Sequence, residues 1–192
     1  MAQFARLFGV TNTTTILDIG GSAYIWSFLD INPRVTCLNL EGNDHRPRRE
    51  GNIELVSGDG RCLPYPDQSF DVAFSNSVIE HVGTKNDMHK LANEIRRVGK
   101  RYYVQTPNFW FPIDPHTYAV GNHWLPDRLQ FWAIKYTSPR AWLAKWSDDV
   151  IREYISTTYM LSAQQLRNLF PDATIIRERV AGLTKSLIAC RS

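Results

Sequence analysis

The chain has 192 residues, of which 43% are hydrophobic and 21% charged, with a formal net charge of +3. That balance excludes a disordered chain, and the length suits one α/β domain spanning 1–192 rather than two. Basic residues gather at Arg46-Pro47-Arg48-Arg49 and between Arg96 and Arg101. Acids are mixed in elsewhere, so no nucleic-acid partner is expected.

The first half alternates short apolar runs with helical or polar stretches. Thr15-Ile16-Leu17-Asp18-Ile19 reads as a strand ended by Gly20-Gly21. Ala23 to Asp30 reads as a helix with Ile25, Trp26 and Leu29 on one face. Val35 to Leu40, Asn52 to Ser57 and Asp71 to Ser75 are three further strands. A helix from about Asp87 to Val98 precedes a fifth strand, Arg101 to Gln105, stopped by Pro107. Strands separated by helices or loops imply a parallel sheet, which binds ligands beyond the carboxyl ends of its strands. From Thr106 to Tyr159 the alternation stops, and five of the six tryptophans fall there. Ser162 then caps a helix to Phe170, with Gln165 at the capping-box position. Ala173 to Val180 and Thr184 to Cys190 are joined by three residues, so they must run antiparallel. Cys37, Cys62 and Cys190 show no metal-ligand spacing and read as reduced thiols. No apolar run is long enough to span a bilayer and no signal sequence opens the chain, so a cytoplasmic location is expected.

Three of these strands carry an acid at or just past their end. Asp18-Ile19-Gly20-Gly21-Ser22 has two glycines but lacks the third needed to seat a pyrophosphate. That loop suits a phosphate-free ligand beside Asp18, Gly20, Gly21 and Ser22. Glu41, 21 residues after Gly20, can accept from both hydroxyls of a ribose. Asp59, between Gly58 and Gly60, can accept from an exocyclic amine, with help from the backbone of Gly60 and Arg61. An Asp beside glycine also forms an ordinary turn by bonding its own backbone. Ser75 and Asn76 end the fourth strand and are further candidate contacts for the same ligand. In the segment that follows, His81 is a candidate general base, oriented by Glu80.

The run Ile16-Leu17-Asp18-Ile19-Gly20-Gly21, then Leu38-Asn39-Leu40-Glu41, then Gly58-Asp59-Gly60-Arg61-Cys62-Leu63-Pro64-Tyr65, then Ser69-Phe70-Asp71-Val72 and Ile79-Glu80-His81-Val82 resembles the class I S-adenosylmethionine methyltransferases of the type 11 kind. The resemblance covers roughly the first 110 residues. It implies a Rossmann-like seven-stranded sheet, mostly parallel with an antiparallel last strand. It implies S-adenosylmethionine as cofactor, contacted by Asp18, Gly20, Glu41 and Asp59. Ser22 and Tyr24 depart from the family's further glycines, which bears on the pose of the methionine tail. Related ubiquinone-pathway O-methyltransferases hold a divalent metal with a Glu-x-x-Glu-His cluster. Here the first position is Ser77, leaving Glu80 and His81, so no metal is expected.

The aromatic-rich segment after the fifth strand, 107–161, is placed to act as a lid and substrate insert. Trp110, His116, His123 and Trp124 are its candidate acceptor-binding residues, and Asp114 adds a polar group. More than half of the insert's rings are expected to pack a small core of its own. A further use of these rings is contact with a membrane surface, where Trp and Arg are favoured. The acceptor expected is a hydroxyl or amine of a small molecule or of a glycan- or lipid-linked compound. Two other functions compete: a non-catalytic interaction module, and a Rossmann-type nicotinamide-dependent reductase, which the missing glycines and the antiparallel ending disfavour. The sequence is silent on oligomeric state.

Overall fold

The structure, a computed structural model, describes residues 1–40 and 48–192. Its sheet contains β1 (Thr15–Ile19), β2 (Arg34–Asn39), β3 (Arg48–Glu50), β4 (Ile53–Ser57), β5 (Phe70–Asn76), β6 (Gly99–Pro107), β7 (Thr174–Val180) and β8 (Leu183–Arg191). Their spatial order is β3-β4-β2-β1-β5-β6-β8-β7. The β4-β2-β1-β5-β6 pairs are parallel. β8 enters antiparallel between β6 and β7. This is the Rossmann-like methyltransferase arrangement expected from the sequence, with one addition. The eighth strand, β3, pairs antiparallel with β4 at the sheet edge through a turn in which Gly51 adopts φ +60°. All three residues of β3 are exposed, so the sequence offered no alternation from which to read it.

Helices cover both faces. On one side α1 (Ala2–Phe8) brings Phe4 and Phe8 onto Trp26, Phe74 and Tyr103. On the other, α3 (Lys85–Val98) and α7 (Ala163–Leu169) bury Leu91, Ile95 and Leu166 against β1, β5 and β6. α3 begins with a reciprocal capping box between Thr84 and Asp87, and α7 with one between Ser162 and Gln165, as expected of the latter. The helix after β1 is shorter than its sequence suggests. α2 covers only Ala23–Trp26, since Pro33 closes the segment and the chain must turn into β2.

The long excursion between β6 and α7 leaves the sheet and returns to it at one place, where Asn108 bridges Leu161. It holds α4 (Asp127–Thr137), α5 (Pro139–Leu143) and α6 (Asp148–Thr157) around a small core of Phe131, Ile134, Ala141 and Ile151. The expectation that most of its rings pack inside is corrected. Trp110, Tyr118, Trp124, Trp132 and Trp142 are all exposed, because a core of so few residues has no room for them. No helix among the described residues is long and apolar enough to cross a membrane.

Candidate functional site

A cleft of about 450 Å³ opens at the carboxyl ends of the parallel strands, within the size range of small-molecule sites. Each strand supplies a wall. β1 gives Ile19 and Gly20; β2 gives Leu38, Asn39 and, just past its end, Leu40; the turn after β4 gives Gly58 to Arg61; the turn after β5 gives Ser77 and Val78. His81, Val82, Gly83 and Leu91 close the far side. The ridge is drawn tight by glycine. A Cβ on Gly20 would collide with Val78, and one on Gly60 would press on Ile19 and Leu91 at 2.9 Å. Gly20 also takes φ +74°, where a side chain is strained. Apolar Leu38 and Leu91 beside polar Asn39, Asp59 and Ser77 give the cleft both apolar faces and hydrogen-bonding groups.

The residues singled out from the sequence divide into groups. Gly20, Asp59, Gly60 and Arg61 line the cleft. Asp59 is already held there: Arg61 grips both its oxygens at 2.7–3.0 Å and donates its backbone N–H as well. Hydrogen bonds from Arg61 hold its carboxyl below the usual range. Gly21 and Ser22 sit behind the wall, where the Gly21 carbonyl accepts from Asn39 Nδ2 at 2.8 Å. Ser75 is fully buried in the sheet and Asn76 is exposed; the lining residues there are the next two, Ser77 and Val78. Glu41 lies outside the described residues, one position past Leu40.

Asp18 is fully buried beneath the glycine loop rather than in the cleft wall. Its Oδ2 accepts from Trp26 Nε1 at 2.7 Å, while Oδ1 has no hydrogen-bond partner among the described residues. Burial pushes this carboxyl up to about 7, against the opposing pull of the Trp26 and Cys37 hydrogen bonds. A Cβ on Gly21 would run into the carboxylate, so Asp18 and Gly21 set each other's position.

Ser77 was not singled out for the cleft, although it lines it. Its φ of +57° is unusual for a non-glycine residue. The turn is held by Ser77 N–H to the Gln105 carbonyl and by a hydrogen bond between Ser77 Oγ and Gln105 Oε1, both 3.0 Å. A backbone requirement of this kind has no sequence signature when the residue is a serine.

The short helical turn Ile79–His81 brings His81 to the cleft wall and buries Glu80 behind it. Glu80 does not hydrogen-bond the His81 ring, as the sequence suggested it would. Its Oε2 accepts from Thr106 Oγ1 at 2.9 Å, and Oε1 lies 4.0 Å from His81 Nε2. The ring's partner is His116, from the insert, with the two Nε2 atoms 3.0 Å apart. Burial, and then the neighbouring His116, push the His81 ring down to about 4, so it is neutral at physiological pH. Burial raises the Glu80 carboxyl.

Behind His116 stands Asp114, which the sequence offered as a substrate contact. It is instead fully buried. Its oxygens accept from His116 N–H at 2.8 Å, Thr117 Oγ1 at 2.8 Å, Asn122 Nδ2 at 2.9 Å and Tyr154 Oη at 2.6 Å. Burial alone would raise its carboxyl, but the bonds from His116, Tyr154 and Asn122 outweigh it and hold the group well below the ordinary range.

A second cavity of about 440 Å³ lies on the insert side. Trp110 and His123 line it with Asp127, Gln130, Tyr154 and Tyr159. His123 is fixed by its Nε2 to the Phe109 carbonyl at 2.9 Å, and Trp124 Nε1 donates to the same carbonyl at 2.8 Å. The end of α6 separates the two spaces: Thr157 lines the first and Thr158 the second. Thr158 Oγ1 also lies 3.3 Å from His81 Nδ1.

Residues 17–102 match the family model described as a methyltransferase domain. Over 109 residues the chain is 31% identical to a glycine/sarcosine/dimethylglycine N-methyltransferase of Actinopolyspora halophila, covering 51% of this chain and 19% of that protein. The chain thus spans about a fifth of that relative's length. Among solved structures, a putative methyltransferase from Haloferax volcanii, in complex with the Trm112 activator, is similar with TM-score 0.61 and 16% identity, covering 98% of this chain and 86% of its own. A SAM dependent methyltransferase from Aquifex aeolicus is similar with TM-score 0.54 and 13% identity, covering 98% and 87%.

Proposed function

We propose that this chain, whose residues 17–102 match a methyltransferase-domain family model, is a class I S-adenosylmethionine-dependent methyltransferase that moves a methyl group to a hydroxyl or amine of a small-molecule or glycan- or lipid-linked acceptor. S-adenosylmethionine is its cofactor. The observation that carries the reading is the cleft itself, formed where β1, β2, β4 and β5 end and narrowed by Gly20 and Gly60. In this reading Gly20 and Gly60 make room for the cofactor. Leu38 and Leu91 flank its base, Asp59 and Arg61 meet the base edge, and Glu41 takes the ribose hydroxyls.

The cofactor brings an activated methyl group. The bond from the acceptor's nucleophile to the methyl carbon forms as the carbon–sulfur bond breaks, and the acceptor gives up a proton. What remains for the chain is to align the nucleophile, exclude water and ease loss of that proton. Alignment alone contributes roughly 7–11 kcal/mol in favourable cases. The acceptor enters from the second cavity, past Trp110, His123 and Tyr159. Its reacting atom lies against the cluster of Glu80, His81 and His116. The shared boundary at Thr157 and Thr158 supports this route.

Thermal unfolding with S-adenosylmethionine, S-adenosylhomocysteine or NADH tests the cofactor side. At a hundred times its dissociation constant, a bound ligand adds ~2.7 kcal/mol. Stabilisation by the first two and none by NADH is expected; stabilisation by NADH alone overturns the reading. A screen of hydroxylated and amine acceptors with methyl-labelled cofactor then identifies the substrate.

A further inference from the structure

We propose that Glu80, His81 and His116 form a binding site for a divalent transition-metal ion of the zinc class, at the seam between the cleft and the insert. Their ligand atoms lie within 4.8 Å of one another. The separations are 3.0 Å between the two Nε2 atoms and 4.0 and 3.9 Å from Glu80 Oε1 to His81 and His116. A point equidistant from three atoms so placed is about 2.1 Å from each, inside the ~2.0–2.2 Å of zinc–nitrogen and zinc–carboxylate bonds. Two imidazoles and one carboxylate are also a donor set that such ions take, with positions left open for water or substrate.

Two independent observations point to a cation here. Glu80 Oε1 is completely buried and has no hydrogen-bond partner among the described residues. A buried carboxylate oxygen left so is costly unless a positive charge or a donor meets it. The second observation is the state of the two rings. His81 Nδ1 has Thr158 Oγ1 at 3.3 Å, while His116 Nδ1 makes no hydrogen bond among the described residues but has the Asp114 carboxylate oxygen 3.4 Å away. A carboxylate behind the far nitrogen of a histidine is the usual outer support of a metal ligand. It favours the proton on Nδ1 of His116 and turns that ring's Nε2 lone pair toward His81. The His81 Nε2, 3.0 Å away, must then meet it with a proton or share an ion with it. Asp114 cannot rotate away, since Thr117, Asn122 and Tyr154 pin it.

The sequence counted against a metal because only Glu80 and His81 stand together in the chain. The third donor arrives 35 residues later, from the insert. The site rests on the methyl-transfer reading only for its use. There, an ion with open positions facing the cleft would lower the pKa of a coordinated acceptor hydroxyl, as such ions do for water. The proton passes to solvent, so His81 need not serve as a base.

The test titrates the full, chelator-treated chain with Co2+ as a spectroscopic probe and with Zn2+ by calorimetry. One ion per chain is expected, with the visible bands of cobalt bound by nitrogen and oxygen donors. Glu80→Gln, which keeps the side chain's shape, and His116→Ala should each weaken binding at least ~10-fold. Thermal stabilisation by S-adenosylhomocysteine should survive in His116→Ala, because His116 does not line the cleft. It reports on the cofactor reading separately from the cobalt spectrum. Failure of the wild-type chain to bind either ion overturns the proposal. So does binding that both substitutions leave unchanged, which would mark an adventitious surface histidine.

Discussion

The two sides of the crevice are built in opposite ways. On the sheet side, every group comes from a residue within a few positions of a strand end, and the same local unit, strand then polar turn, is used four times. On the insert side, the Glu80–His81–His116 cluster joins the turn after β5 to a loop after β6, and its insert member, His116, is held by one buried acid, Asp114. Repetition gives the first side several separate strand ends, which meet tightly only where Gly20 faces Val78 and Gly60 faces Ile19. The second side has a single point of failure. The difference separates a surface made of local strand ends from an assembly that depends on contacts distant in the chain.

Breaking the single point should give the largest effect. Asp114→Ala removes the acceptor for Thr117, Asn122, Tyr154 and the His116 N–H at once. Each buried donor left unpaired costs ~1–3 kcal/mol. With partial relaxation, a loss of roughly 3–5 kcal/mol is expected, or ~10 °C in Tm for a chain of this size. Calorimetry checks the magnitude, and hydrogen exchange should place the loosening in the insert while β1, β5 and β6 stay protected. A Tm drop under ~2 °C would mean that the insert does not depend on this acid.

The same contrast explains what could be read from the sequence. β1, β2, β4, β5 and β6 announce themselves as apolar runs ended by glycine, acid or proline, and the glycines of the cleft sit at those ends. Their register needs no long-range information, because parallel strands with crossovers have few alternatives. His116 could be singled out only as one polar group among many rings, since nothing local says that it turns back to His81. Asp114 was misread for a related reason. An acid between proline and isoleucine looks exposed, and its burial depends on Asn122 and on Tyr154, 40 residues away. Asp18 lies between the cases: its place at the end of β1 is legible, but its use beneath the loop is decided by Trp26.

The converse test strikes the sheet side at its tightest point. Gly20→Val places a branched side chain at φ +74° and against Val78. Cofactor affinity, measured by calorimetry with S-adenosylhomocysteine, should fall more than ~100-fold, or about 2.7 kcal/mol. Circular dichroism should report an intact sheet, because the clash is at the cleft rim. Cobalt binding at the histidine cluster should fall far less than cofactor affinity, although Val78 caps the turn that carries Glu80 and His81. Loss of both together would show that the two sides are not separately built.

The smallest expected effect concerns the foundation of the sheet side and is a matter of sign. Burial raises the Asp18 carboxyl from its ordinary value of 3.8 to about 7 in the folded chain. The folded state therefore holds this proton more tightly than the unfolded state does. Its contribution is fully present below about pH 4, declines as pH rises through the window from about 4 to 7, and is constant above it. Asp18→Asn cannot ionise, keeps an oxygen for the Trp26 indole, and removes that dependence. The stability of the variant minus that of the wild type should thus rise across the window in favour of asparagine and then level. The ceiling is ~1.4 kcal/mol per pH unit. Relaxation around the site brings the expected total down to on the order of 2 kcal/mol. Urea unfolding of both chains at pH 5, 6, 7 and 8 measures the difference directly. A difference flat in pH would mean that Asp18 is not held protonated, and that a partner for its unpaired Oδ1 is present in solution. Because Gly21 leaves no gap above this carboxylate, such a partner could reach it only with a shift of the loop that carries Gly20. The pH series thus also reports whether the cofactor ridge is as fixed as its glycines make it.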